Sequence, residues 1–314
     1  CILLDAVCDM MGVSAQVFRQ LCIMLLYMLA GYTLYKKKIL DEAGSKELAT
    51  MLVKLIIPAV IVNSFCSEYT PEKAQKIAVS ALGAALLLCV SILIARLAFP
   101  HKPIEQFSAA FSNPGFIGLP LIQSMLGEDA AVLVVAFIAM LNILQASYGV
   151  GILREKQDKI EWKPLLLNPI VLGSVGGAAL FASGLGAHIP DVVQTTLRGI
   201  SALNSPLAMI VLGTYLAKEN VCSLVKTPMV YVVCIIRQIL IPIGSILLLY
   251  LFPADFNLKQ VLLIAAACPV GANVAVYAQL YDKDYAYAGK IVVLSTLLAV
   301  LTMPIMIAAG SAQF

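Results

Sequence analysis

Apolar positions in this chain neither alternate with polar ones nor form the narrow stripe of an amphipathic helix. They come in blocks close to the ~20 residues that an α-helix needs to cross a ~30 Å hydrocarbon layer. Charged residues, prolines and glycines separate the blocks, giving ten helices at about 18–36, 46–66, 75–99, 106–126, 130–153, 165–186, 195–217, 228–252, 258–281 and 285–310. The blocks recur along the whole length, which predicts an all-α integral membrane protein of ten transmembrane helices. Composition agrees: 61% of the 314 residues are hydrophobic and 12% charged, against roughly 25% charged in a soluble domain. The first block follows Asp5 and Asp9 and has no basic leader or small-residue cleavage site, so no removable signal peptide is expected, and a chain opening on Cys1 is expected to lack its true start.

Charge adds orientation. Lys36, Lys37, Lys38 and Lys46, then Arg96 and Lys102, then Arg154, Lys156, Lys159 and Lys163, then Lys218 and Lys226, then Lys283 follow the odd-numbered blocks. Loops after even-numbered blocks hold little beyond Lys73, Lys76, Arg198 and Lys259. The positive-inside rule places the odd loops in the cytoplasm and both termini outside, in a multi-pass protein of the cell membrane. A net charge of +3 points to no nucleic-acid partner. The eight cysteines form no CxxC or His-paired cluster and are expected as reduced core residues. No cofactor or metal is implied.

The longest basic loop separates two sets of five blocks, giving a first repeat at 1–153, a linker at 154–164 and a second repeat at 165–314. Five helices invert the second set relative to the first. FSNPGFIGLPLIQSMLGEDAA in the fourth block and AACPVGANVAVYAQLYDKDYA in the ninth align Asn113-Pro114 with Cys268-Pro269 and Gln123 nearly with Gln279, and each stretch ends in acids. Pro58 and Pro206 lie at matching places in the second and seventh blocks. Inverted repeats with interrupted helices at matching positions are a transporter design, with substrate held at the midplane.

Pro114 removes a backbone donor, and Gly115, Gly118 and Pro120 weaken the same stretch, so the fourth helix should break near its centre. Pro269 and Gly271 predict the same in the ninth. A break inside hydrocarbon is tolerated where freed backbone groups face protein or a wet cavity. Each half-helix downstream of a break offers unpaired N–H groups and a partial positive charge to a carboxylate, with Asn113 and Asn273 as neutral donors beside it. The alternative for either break is a packing kink.

The eighteen acids all fall in loops or at helix ends, whereas Arg237 lies near the middle of the eighth block. Its counter-charge is either the substrate or a set of backbone carbonyls at a broken helix. Lys54, nearer the end of its block, can snorkel. With no buried carboxylate, proton or sodium coupling through an acid is not expected; a carrier driven by the membrane potential needs none, and sodium held by backbone carbonyls and hydroxyls is the alternative. Asn142, Gln145 and Ser147 in the fifth block lie beside the expected site, or bond a neighbouring helix. Gly173 and Gly177 predict a close helix contact.

These residues resemble the auxin efflux carrier family of bacterial permeases, relatives of the plant PIN exporters. The likeness covers nearly the whole chain: GYTLYKKKILDEAG, LIIPAVIVNSF, SNPGFIGLPLIQSMLGEDA, NPIVLG, SPLAMIVLGTYLA, RQILIPI, ACPVGANVAVYAQLY and LSTLLAVLTMPI. The resemblance implies two inverted five-helix repeats, as in the NhaA-like and bile-acid-transporter-like folds, with helices 4 and 9 broken and crossing. It also implies a scaffold of helices 1, 2, 6 and 7, an elevator-like movement and a homodimer. It places a substrate carboxylate near Asn113, Pro114, Cys268 and Pro269, with malate, malonate or auxin-like acids as the class. Cys268 departs from the pattern by standing opposite Asn113. The expected substrate-binding set is Asn113, Pro114, Gly115, Gly118, Asn142, Gln145, Arg237, Cys268, Pro269, Gly271 and Asn273. The expected protein is a secondary carrier of small organic anions in contact with membrane lipid, not an enzyme; the competing reading is a membrane sensor that binds the same anions without moving them.

Overall fold

A computed structural model describes residues 2–66, 68–154, 167, 169–218 and 227–314. The helices are α1 (Ile2–Lys36), α2 (Glu42–Phe65), α3 (Pro71–Ala98), α4 (Pro103–Ala110), α5 (Pro114–Leu126) and α6 (Ala131–Leu153). They continue as α7 (Pro169–Ala182), α8 (Asp191–Lys218, bent at Leu203), α9 (Pro228–Leu251), α10 (Phe256–Ala267), α11 (Asn273–Leu280) and α12 (Tyr285–Ser311). Six of them, α2, α3, α6, α8, α9 and α12, are long and apolar enough to cross a membrane. β pairing among the described residues is an isolated antiparallel bridge between Ser112 and Val270. All but Arg154 of the expected linker at 154–164 lies outside the described residues, as does Cys222.

The helix starts follow capping chemistry. Asp41, Thr70, Asp255 and Asp284 each accept a backbone N–H three residues on, at 2.8 to 3.2 Å, which satisfies one of the orphan donors of the first turn. That is the job of several of the acids at the ends of apolar blocks. Inside the helices the prolines act on what precedes them. The helix widens to π geometry at Leu52–Ile56, Pro114–Gly118 and Ile236–Leu240, each time ending two residues before a proline, Pro58, Pro120 or Pro242. A proline lacks an N–H and its ring collides with the carbonyl four residues back, and a wider turn gives that carbonyl room. A fourth π turn, Gln145–Gly149 in α6, has no proline beside it.

α10 is short and apolar on every side, and residues 260–267 are all buried; it packs against α3, α5, α6, α9 and α12 and forms the centre of the molecule. The outer faces of α3, α9 and α12 carry exposed Leu82, Leu93, Leu97, Leu247, Leu251, Leu301 and Ile305, a surface matched to lipid tails rather than water. Small residues set the closest approaches. A Cβ added to Gly31 would meet the Ile210 carbonyl, and one on Gly213 the Met28 carbonyl, so α1 and α8 touch backbone to backbone. Gly173 and Gly177 make the expected close contact, on Pro58 and Phe65 of α2.

Candidate functional site

The expected helices at 106–126 and 258–281 are each two helices. Between α4 and α5 the chain leaves the helix at residues 111–113, and between α10 and α11 at residues 268–272. The two non-helical segments lie against each other. Asn113 N donates to Pro269 O at 3.0 Å and Gly271 N donates to Phe111 O at 3.1 Å, on either side of the Ser112–Val270 bridge. Val270 N donates to Ser295 Oγ of α12 at 3.2 Å. Each break thus satisfies backbone groups of the other, which meets the demand that hydrocarbon places on an interrupted helix. Glycine permits the approach: a Cβ on Gly271 would sit 2.8 Å from Ser112 O, and one on Gly118 2.9 Å from Cys268 Sγ.

A cavity of about 260 Å³ opens beside this crossover, lined among others by Asn113, Pro114, Gly115, Asn142, Gly271 and Asn273. The starts of α5 and α11 both border it. Asn113 caps α5 through its Oδ1, which accepts from Phe116 N at 3.4 Å. Asn273 is the first residue of α11, and its Nδ2 donates to Gln145 Oε1 of α6 at 2.9 Å. That leaves two buried amide donors, Asn113 Nδ2 and Gln145 Nε2, without a partner. The two residues are 6% and 1% exposed, and orphaned donors at that depth cost on the order of 1–3 kcal/mol each unless a ligand accepts from them. Asn142 spends its Nδ2 on the Ile138 carbonyl at 2.7 Å. Tyr277, Phe116, Ile57, Ile138 and Leu141 complete the walls; nothing in the apolar blocks singled these five out from other core residues.

Five expected site residues do not line the cavity: Gln145 stands behind Asn273, and four others lie elsewhere. Cys268 and Pro269 are buried behind the crossover, with Cys268 Sγ donating to Ile264 O at 3.2 Å, and Gly118 packs on that sulfur rather than on the cavity. The sequence alignment set Asn113 opposite Cys268, but across the cavity its counterpart is Asn273, because α11 starts four residues after Pro269 whereas α5 starts at Pro114. Arg237 is the fourth. It is 1% exposed and its guanidinium donates to four carbonyls: Ala109 at 3.1 Å and Ala110 at 3.4 Å at the end of α4, Cys268 at 3.2 Å and Ala266 at the end of α10. Of the two partners open to Arg237, the structure holds backbone carbonyls. Lys54 is exposed and lies away from the cavity.

Two larger cavities flank the crossover. One of about 520 Å³ is bordered by Tyr35, Tyr215, Tyr285 and the Lys218–Glu42 ion pair (3.1 Å), and shares Ala272 with the crossover cavity. Another, of about 450 Å³, has a mostly polar lining that includes Asn63, Ser64, Gln123, Gln194, Arg198 and Asn204. Asn204, which sequence reasoning missed, sits between it and the crossover: its Nδ2 donates to Gly115 O at 3.3 Å. The Asn-Ser-Pro at the bend in α8 was the available signal.

Apolar helices with lipid-matched faces, two of them interrupted beside a largely apolar cavity that holds a few buried amides, define a multi-pass membrane protein with an internal site. The model of a family of membrane transport proteins matches residues 16–307, and the chain belongs to that family, the auxin efflux carrier family. Its members are transporters rather than enzymes. No curated protein matches the chain.

Proposed function

We propose that the protein is a secondary carrier of small organic anions, carboxylates of the malate, malonate or auxin-like class, that moves them past the crossover by elevator-type alternating access between two inverted five-helix repeats. The observation that carries this reading is the crossover cavity itself. Its wall holds the orphaned donor Asn113 Nδ2 and the starts of two helices, and Asn273 on that wall bonds Gln145, whose Nε2 is a second orphaned donor just behind it. Donors without acceptors, at the positive ends of two helix dipoles, complement a carboxylate and repel a cation. About 260 Å³ suits a molecule of a few to a dozen heavy atoms. The bonds between residues 111–113 and 269–271 make the crossover one unit able to travel together, and the flanking cavities give it somewhere to open.

The test is uptake of labelled malate, malonate and indole-acetate into proteoliposomes under an imposed membrane potential. Wild-type protein is expected to accumulate at least one of them, and Asn113→Ala, folded by thermal melting, to lose that uptake. Binding without uptake under any ion gradient would put the sensor reading in its place.

A further inference from the structure

The guanidinium charge of Arg237 is fully buried. Among the described residues no carboxylate pairs with it. Its partners are instead the last carbonyls of two helices, Ala109 and Ala110 of α4 and Ala266 and Cys268 after α10. A helix C-terminus carries roughly half a negative elementary charge, so two of them together about equal the single positive charge of one guanidinium. The π turn at Ile236–Leu240 presents the side chain to both, and its neighbour Gln238 is held by donating to Ser295 O, the residue whose Oγ receives Val270 N. On the other side of the crossover stand the N-termini of α5 and α11, each with roughly half a positive charge and each bordering the cavity.

Given the carrier reading above, on which this rests, we infer that Arg237 is a specificity-determining residue that never touches the substrate: it cancels the two C-terminal dipoles, leaves the two N-termini uncompensated, and so matches the cavity to an anion of one negative charge. The sum over the four helix ends without Arg237 is about zero, and such a cavity has no preference for an anion over a neutral amide of the same shape. With Arg237 the sum is about +1. A monocarboxylate neutralises it, a neutral analogue leaves it standing, and a dianion brings one unmatched negative charge into a buried site.

The test uses purified full-length protein and equilibrium binding of matched probes: lactate with lactamide, indole-acetate with indole-acetamide, and malate as a dianion at pH 7. In wild-type protein a monocarboxylate is expected to bind at least tenfold more tightly than its own amide and more tightly than malate. Arg237→Gln keeps neutral donors for the carbonyls, and is expected to weaken the acid at least tenfold while changing the amide less than about threefold; Arg237→Lys, which keeps the charge, is expected to restore most of the preference for the acid. Equal losses for acid and amide in a folded Arg237→Gln protein would make Arg237 a structural staple and overturn the inference. So would tighter binding of malate than of either monoanion by wild type, a comparison that needs no variant to fold. Wild-type protein that binds none of the probes removes the carrier reading, whereas binding of acids and amides alike leaves that reading in place and removes this one.

Discussion

Asn113 and Gln145 are each more than nine-tenths buried, and each holds a donor with nothing to receive it. Asn113 was readable in the sequence because it directly precedes the proline that breaks its helix. Gln145 was readable only as a polar residue in an apolar block, and its significance comes from Asn273, which is 128 positions away in the chain and bonds the Gln145 oxygen. Gln145→Leu removes an orphaned donor and also the acceptor that fixes Asn273 Nδ2 at the cavity wall, so that side chain is no longer held in place beside a bound carboxylate. The cost of such a change is about 1–3 kcal/mol, or roughly a 5- to 150-fold loss of affinity for the anion proposed above. Saturation binding would read it, and an unchanged dissociation constant would remove Gln145 from the site. The walls made by Tyr277, Phe116 and Ile57 carried no comparable sequence signal, since an aromatic or aliphatic residue lining a cavity looks the same as one filling a core.

At the scale of elements, the helices themselves were legible because a bilayer allows so few solutions. The expected 130–153 and 228–252 stand as Ala131–Leu153 and Pro228–Leu251, and the break expected at Pro114 lies between α4 and α5. What could not be read was which broken end meets which, because that depends on hydrogen bonds between residues far apart in the chain, such as the one joining Asn113 to Pro269. The π turns were equally hidden, although their placement two residues before Pro58, Pro120 and Pro242 has a common steric cause. Pro242 is the informative one, since its π turn carries Arg237. Pro242→Ala restores an N–H and lets α9 close to ordinary α geometry, which rotates residues 236–240 by a fraction of a turn and takes Arg237 off the four carbonyls. The expected result is helical content unchanged by circular dichroism, with transport reduced at least tenfold. Full transport in that variant would mean that Arg237 reaches the crossover from either geometry.

For the molecule as a whole, the arrangement of cavities describes a direction. The crossover cavity shares Ala272 with the 520 Å³ space beside Lys218 and Glu42, but it has no lining residue in common with the 450 Å³ space that holds Arg198. In the orientation expected from the basic loops, the first faces the cytoplasm and the second the outside. On the outer side Asn204 of α8 reaches across to Gly115 at the start of α5, so an elevator that carries the crossover past α8 must break this bond once per cycle. A bond of that kind is worth about 0.5–1.5 kcal/mol net, enough to move a two-state balance by roughly 2- to 12-fold without altering either state. Asn204→Ala is therefore expected to favour outward opening. A cysteine placed at Phe116 in a Cys66→Ser background reports it, since Phe116 lines the crossover cavity and Cys66 the outer one. A membrane-impermeant thiol reagent added outside is expected to label that cysteine roughly 2- to 12-fold faster when Asn204 is alanine. An unchanged rate would mean that the crossover does not move past α8 at this contact, and faster labelling from the inside would reverse the orientation that the basic loops predict.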